Sequence, residues 1–102
     1  MKVYISQPMK GRTDTDIELE RQKVIDLINK NYVGAEIIDS FMKGAPQKAT
    51  PLENLSKSIG FLAQADLAVF PKNYKEYRGC EIEQLCAKAY NIPMIYYERL
   101  EK

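Results

Sequence analysis

The chain has 102 residues, and its 15 Lys and Arg against 14 Asp and Glu leave a net charge of only +1. This length fits one domain, residues 1–102, and a charge so close to zero gives no large electrostatic footprint for DNA, RNA or an anionic membrane. We therefore expect a small-molecule partner, no nucleic-acid polymer and no membrane.

The first third of the sequence predicts a strand, a loop and a helix. The apolar, β-rich stretch "KVYIS" at residues 2–6 is typical of a buried strand, and a proline and a glycine in "QPMKGR" mark a loop. A capping residue at Asp14 or Thr15 then precedes "DIELERQKVIDLINKNY", whose apolar residues recur at helical spacing. We expect this helix to end near Gly34.

The middle third predicts a second strand, a long loop and a second helix. The stretch "AEIID" is typical of a strand, and "SFMKGAPQKATP" at residues 40–51 is longer than most connections, which makes it a candidate lid or rim. After Pro51, the stretch "LENLSKSIGFLAQA" places Leu55, Ile59 and Leu62 on one helical face.

The last third predicts a third strand in "DLAVF", a polar loop in "PKNYKEYRG", a third helix in "CEIEQLCAKAYN" and a fourth strand in "PMIYY". We expect the third helix to turn Ile82, Leu85, Cys86 and Ala89 inward. Strands that alternate with helices imply a parallel sheet with right-handed crossovers and helices on both faces. The sequence thus predicts a three-layer α/β sandwich with a four-stranded sheet in the order 2-1-3-4.

Ligands in such a sheet bind beyond the carboxyl ends of the strands, where the strand order reverses. For the order 2-1-3-4, this crevice lies between the first and third strands. The loops "SQPMKGR", "DSFMKG" and "PKNYKEYRG" border it, together with the starts of the helices that follow.

The residue types exclude several familiar chemistries. The sequence has neither G-x-x-x-x-G-K-[ST] nor G-x-G-x-x-G, and without His it cannot form a Ser-His-Asp or Cys-His nucleophile. Cys80 and Cys86 fit neither a C-x-x-C redox pair nor a zinc spacing, so we expect reduced thiols, Cys86 in the core, no metal and no cofactor. Because no apolar run is long enough for a signal peptide or a membrane span, we expect a cytoplasmic protein.

Two carboxylates, Glu81 and Glu83, stand at the start of the third predicted helix. In a first helical turn, free amides and the helix dipole favour the ionised form, and an ionised carboxylate suits attack on an electrophilic sugar carbon. Acids are also common in first turns simply because they complement the dipole, so both interpretations stay open for each residue.

The other candidates have equally ordinary alternatives. Tyr4 alternates with its apolar strand neighbours, so it is either a core aromatic with a satisfied hydroxyl or a phenol that reaches the crevice. Lys10 and Arg12 in "SQPMKGR" either hold a phosphate together with backbone amides or belong to a plain surface turn. Arg78 likewise either meets an anion or is a solvated charge.

Three segments together resemble one family. The stretches "VYISQPMKGR", "QADLAVF" and "RGCEIEQLCAKAYNIPMI" are similar to the nucleoside 2-deoxyribosyltransferase-like family, which includes the 2'-deoxynucleoside 5'-phosphate N-hydrolases. The last segment matches best, with a Gly, a Glu four residues on and a Pro ten residues after the Glu. The resemblance covers nearly the whole chain and depends on the order and spacing of the segments.

The resemblance implies a flavodoxin-like fold, a homodimer or larger homo-oligomer, and cleavage or transfer at the bond between a base and a (deoxy)ribose. It places the nucleophile on Glu83 rather than Glu81, and a supporting tyrosine on Tyr4. The family's phosphate-contacting loop falls on Ser6, Gln7, Pro8, Met9, Lys10, Gly11 and Arg12. We also expect Asp39, Tyr77, Arg78 and Gly79 to bind substrate.

The sequence departs from the family's pattern at two positions. Ser58 stands where the family has an Asp that contacts the sugar and assists the leaving base, and a serine cannot act as an acid near neutral pH. Tyr77 stands where the family has a Ser or Asp two residues before Gly79. A bulky phenol there would reshape the phosphate or sugar side of the pocket.

The C-terminal segment through which family subunits complete a neighbour's site is expected to be missing, because the sequence ends at Lys102. Either Asp39, Glu53 or Asp66 substitutes for the acid, or catalysis is weakened or lost. Asp66 is the poorest candidate, since the start of a strand lies at the wrong edge of the sheet.

The sequence therefore leaves three functions open. The first is an N-glycosidic-bond enzyme with Glu83, Tyr4 and Ser58 as catalytic residues. The second is a nucleotide-binding module that has lost turnover, and the third is a subunit whose main role is assembly.

Overall fold

Four strands and three helices alternate along the chain in the computed structural model, which describes residues 1–9, 11–41 and 50–101. The strands are β1 (Lys2–Ile5), β2 (Glu36–Ile37), β3 (Leu67–Phe70) and β4 (Met94–Tyr96). The helices are α1 (Asp14–Asn31), α2 (Pro51–Leu62) and α3 (Arg78–Ala89). Two short 3-10 helices, Tyr74–Glu76 and Tyr97–Glu101, follow β3 and β4.

All neighbouring strands pair in parallel, in the order β2-β1-β3-β4. Val3 in β1 is opposite Ile37 on one side and Leu67 on the other. The predicted α/β, flavodoxin-like architecture and its strand order are confirmed. From β1 the chain adds β2 on one side of the sheet, and then β3 and β4 on the other side. The order therefore switches between β1 and β3, which is where the ligand crevice is expected.

The two faces of the sheet form two separate cores. The α1-side core comprises Val3, Ile5, Val24, Ile28, Leu67, Val69 and Leu100. The α2/α3-side core comprises Tyr4, Ile38, Leu62, Ala68, Phe70 and Ala87. Successive residues of β1 and β3 alternate between them because side chains along a strand point to opposite faces.

Side chains begin two of the helices. Before α1, the Thr13 hydroxyl accepts a hydrogen bond from the Asp16 amide at 3.1 Å, and before α2, Thr50 and Glu53 form a reciprocal capping box. By contrast, α3 begins after Tyr77 without a side-chain cap. None of the described helices is long and apolar enough to cross a membrane.

Element boundaries differ from the predicted ones by a few residues. The strand β2 covers two residues rather than the predicted five. The next residue, Ile38, uses its carbonyl to accept a hydrogen bond from the Arg21 guanidinium. The predicted lid or rim falls largely on residues 42–49, which lie outside the described residues.

The predicted inward face of the third helix is wrong in part. Leu85 is 57% exposed and Ala89 is exposed, whereas Cys80, Glu83 and Ala87 form the row that faces the sheet. Apolar periodicity assigns a glutamate to the outside, so it could not place Glu83 in this row. Both cysteines are free thiols, but Cys80 rather than Cys86 is the buried one.

Candidate functional site

A cleft of about 920 Å³ opens at the carboxyl end of β1, in the crevice that the strand order predicts. Its described walls come from β1 and the following loop, the first half of α1, the α2 helix and the start of α3. This volume lies in the range of roughly 300–1,000 Å³ that is usual for small-molecule sites.

A buried phenol–carboxylate pair lies in this cleft. The Tyr4 hydroxyl donates a hydrogen bond to Glu83 Oε1 at 2.9 Å, and the two residues are only 3% and 6% exposed. Tyr4 is therefore both a member of the α2/α3-side core and a cleft residue, so both sequence-based interpretations of it hold. Tyr4 donates to Oε1, and no hydrogen bond from the described residues to Glu83 Oε2 has comparable geometry.

Burial raises the pKa of the Glu83 carboxyl, while the Ser6 and Tyr4 side chains oppose the rise by favouring its charged form. The sequence-based argument for its charge is wrong here. Because α3 begins at Arg78, Glu83 lies in the second turn, and only Glu81 is a first-turn acid. The charge of Glu83 thus depends on its hydrogen-bonding neighbours rather than on free amides at the helix end.

Ser58, which lies on α2, faces the hydroxyl of Tyr4. Burial raises the pKa of Tyr4 well above its ordinary value, and the Glu83 charge adds to the rise, whereas the Ser58 hydroxyl opposes it. Tyr4 therefore stays protonated and acts as a hydrogen-bond donor. Ser58 lines the cleft, so the structure brings together all three residues that were predicted to be catalytic.

Ser6 and Cys80 lie beside the carboxylate. Ser6 is fully buried, and its hydroxyl has no hydrogen-bond partner of good geometry among the described residues, although it faces Glu83 and Cys80 closely enough to lower the pKa of both. Burial nevertheless raises the pKa of the Cys80 thiol to about 11. Cys80 is therefore a neutral thiol at physiological pH rather than a nucleophile.

The loop after β1 is fastened to α1. The Arg12 guanidinium donates to Glu20 Oε1 at 2.9 Å and to the Pro8 carbonyl at 3.1 Å, and Gln7 Nε2 donates to the Ile17 carbonyl at 2.6 Å. Arg12 thus forms an ion pair within the protein, which reduces the charge that it can offer a phosphate.

The loop still forms one wall of the cleft. Its lining residues are Gln7, Pro8, Met9, Gly11 and Arg12, whereas the predicted Lys10 lies outside the described residues. Gly11 has a φ of 75°, a conformation that glycine adopts without strain.

The start of α3 forms another wall. Tyr77, Arg78 and Gly79 line the cleft, as predicted. Arg78 is exposed and makes no hydrogen bond or ion pair with any residue that the structure describes. Together with the uncapped first turn of α3, it gives this wall free hydrogen-bond donors and a positive charge.

Asp39, which was predicted to bind substrate, is not among the described residues that line the cleft. After β2, side chains alternate, so Ile38 and Ser40 are buried while Asp39 is exposed and absent from the described lining. The other proposed substitute acids have structural roles. Glu53 completes the capping box of α2, and Asp66 accepts the Lys2 amide hydrogen at 2.8 Å at the opposite edge of the sheet.

Sequence reasoning did not single out five polar residues of the described lining: Thr13, Arg21, Ser40, Asn54 and Glu76. Arg21 carried a detectable signal, because it lies on the buried stripe of α1 with Ile17 and Val24. A charged residue on an apolar stripe is unusual and indicates a partner or a ligand. Glu76 is exposed and shows no comparable pattern.

Comparison of the chain with protein-family models, curated proteins and solved structures finds no match. Within the described ranges, no group of three acidic or cysteine side chains is arranged to hold a metal ion. The described lining combines one buried carboxylate, a phenol that donates to it, and arginine side chains.

Proposed function

We propose that the protein cleaves or transfers the N-glycosidic bond of a nucleoside or nucleoside 5'-monophosphate, with Glu83 as the nucleophile. The observation that carries this proposal is the Tyr4–Glu83 hydrogen bond inside a cleft at the carboxyl end of β1. The resemblance to the nucleoside 2-deoxyribosyltransferase-like family assigns the same two residues to this chemistry. The same resemblance implies a homodimer or larger homo-oligomer, and we place the activity in the cytoplasm.

In the proposed reaction, Glu83 Oε2 attacks the anomeric carbon of the sugar. The carbon–nitrogen bond breaks, its electron pair leaves with the base, and the base takes a proton from solvent. Water or a second base then attacks the glycosyl ester and restores the carboxylate. Tyr4 orients the carboxylate through Oε1, and Ser58 is positioned to hydrogen-bond a sugar hydroxyl.

The walls of the cleft favour a phosphorylated substrate. Arg78 and the uncapped first turn of α3 line the cleft, and a guanidinium and free helix amides are each suited to bind an anion. Because Arg12 is paired with Glu20, we assign the phosphate to Arg78, which is exposed and has no ion pair with the described residues.

The test is release of free base from deoxynucleosides and their 5'-monophosphates, measured by chromatography. We expect release by the wild-type protein and a loss of about 10³-fold or more in Glu83→Gln, since that variant lacks the nucleophile. Glu81→Gln is the matched control, because it removes an exposed carboxylate two residues away on the same helix. The proposal fails if no substrate yields free base, or if Glu83→Gln releases base as fast as wild type.

A nucleotide-binding module without turnover is the second candidate. It is favoured by the absence of an obvious acid for the leaving base: Ser58 faces Tyr4, and Glu76, the other carboxylate of the described lining, is exposed. This function predicts that the same monophosphates raise the melting temperature, by mass action, without release of base. Absence of any shift with every nucleotide tested would exclude it.

A further inference from the structure

Arg21 is a buried cation in the cleft that the reaction scheme does not use. Its side chain is only 8% exposed, it lies on the buried stripe of α1, and it lines the cleft. Its Nη2 donates a hydrogen bond to the Ile38 carbonyl at 2.9 Å, just beyond the end of β2. The guanidinium therefore bridges the gap between α1 and β2 at the edge of the ligand site.

The described residues use only part of the hydrogen-bonding capacity of Arg21. A guanidinium has five N–H donors, and the bond to Ile38 is the one that Arg21 makes with the described residues. No carboxylate in the described chain lies within ion-pair distance of it, although Asp39 and Tyr4 act on it at longer range. Because Arg21 lines the cleft, the donors that its bond to Ile38 does not use can meet a ligand that supplies acceptors.

The surroundings of Arg21 favour a neutral acceptor over a second anion. Desolvation lowers the pKa of Arg21, but the group stays protonated because its ordinary pKa is so high. The nearby Asp39 carboxylate already balances part of its charge. Carbonyl oxygens and ring nitrogens of a ligand can accept from the donors that the bond to Ile38 does not use.

Tyr4 connects this cation to the carboxylate. The phenol is hydrogen-bonded to Glu83 and lies within electrostatic reach of Arg21. Arg21 thus lies on the part of the cleft that adjoins Glu83, and a sugar carbon placed at Glu83 Oε2 would direct its base toward one of the neighbouring walls. We assign the phosphate to Arg78, at the start of α3. The base is therefore left to the part of the cleft that Arg21 lines.

Building on the proposed function, we propose that Arg21 recognises the base and makes the site prefer 6-oxopurines over 6-aminopurines. An arginine donates in parallel to O6 and N7 of a 6-oxopurine, whereas a 6-aminopurine presents an N–H donor in place of O6. The same two hydrogen bonds stabilise the electron pair that the departing base takes. Arg21 would thereby assist the leaving group at a site where Ser58 cannot donate a proton.

Isothermal titration calorimetry of the Glu83→Gln protein separates recognition of the base from turnover. The probes are 2'-deoxyinosine 5'-monophosphate and 2'-deoxyadenosine 5'-monophosphate, which carry a 6-oxo and a 6-amino group on the same ring system. We expect the 6-oxo nucleotide to bind roughly tenfold tighter or more, the usual scale of one bidentate arginine contact.

Arg21→Met in the same background removes the donors and is expected to abolish the preference. Arg21→Lys keeps the buried charge but not the two-pronged geometry, so it should retain affinity while losing most of the preference even if Arg21→Met folds poorly. Lys23→Met, an exposed residue of the same helix, is the control and should keep the full preference.

Each outcome decides the matter. Equal binding of the two nucleotides, or a preference that survives both Arg21→Lys and Arg21→Met, overturns the assignment of Arg21 but leaves nucleotide binding intact. If neither nucleotide binds the Glu83→Gln protein, the proposed function itself falls and the assignment of Arg21 falls with it.

Discussion

The two cores of the protein are built from the same strands but differ in polarity. The α1-side core is apolar throughout, whereas the α2/α3-side core includes Tyr4, whose hydroxyl is hydrogen-bonded to the buried Glu83. Adjacent residues of β1 supply both, since Val3 and Ile5 face one core and Tyr4 the other. One face of a sheet can therefore consist of apolar contacts alone while the other carries a buried carboxylate, whose cost of burial the hydrogen bond from Tyr4 offsets in part.

The largest effect on stability is expected from the apolar face. Ile28→Ala should destabilise the protein by about 2–5 kcal/mol, because Ile28 is fully buried and its loss leaves a cavity between α1 and the sheet. Urea unfolding measures the change. Base release per folded molecule should stay near wild type, and a selective loss of activity in the folded variant would contradict the separation of the two faces.

A smaller effect is expected from Tyr4→Phe, which removes the phenol's hydrogen bond from Glu83. Loss of a hydrogen bond to a charged buried group costs about 1.5–3 kcal/mol. Because the phenol favours the charged carboxylate, its removal should raise the pKa of Glu83 further. The acid limb of the pH–rate profile should then move to higher pH, and an unmoved limb would show that Tyr4 does not control the charge of Glu83.

The smallest expected effect is that of Glu83→Gln, and it is a gain rather than a loss in the free energy of unfolding. Burial raises the folded-state pKa of Glu83, so between about pH 4.3, the unfolded value, and that raised pKa the folded chain binds more protons than the unfolded chain. Wild-type stability therefore falls as the pH rises through this interval. Glu83→Gln lacks this fall, so it should be the more stable protein at pH 7.

Urea unfolding at pH 4 and pH 7 measures this difference. The gain of Glu83→Gln over wild type should be larger at pH 7 than at pH 4. If wild type were instead the more stable protein at pH 7 and lost that advantage on acidification, the carboxylate would be stabilising in its charged form.

Apolar periodicity and turn residues were sufficient to predict the sheet order and the position of the crevice, because both follow from alternating strands and helices. Periodicity and turn residues were not sufficient to predict which side of α3 faces the sheet. A pattern that assigns polar residues to solvent cannot place Glu83 inside, since its position depends on a hydrogen bond to Tyr4, far away in the sequence. Arg21 differs, because its place on the apolar stripe of α1 was a readable signal, and only its partner, the backbone carbonyl of Ile38, could not be predicted from the sequence.

The Tyr4–Glu83 contact joins residues that are 79 positions apart. Tyr4 belongs to the first strand and Glu83 to the last helix, so the pair cannot form until the chain between them has closed into the sheet. Closing so long a loop is entropically expensive, and contacts of this kind form late relative to local helical ones. A nascent or partly unfolded chain would thus hold its carboxylate in water without the phenol, and the buried pair would arise only together with the complete fold.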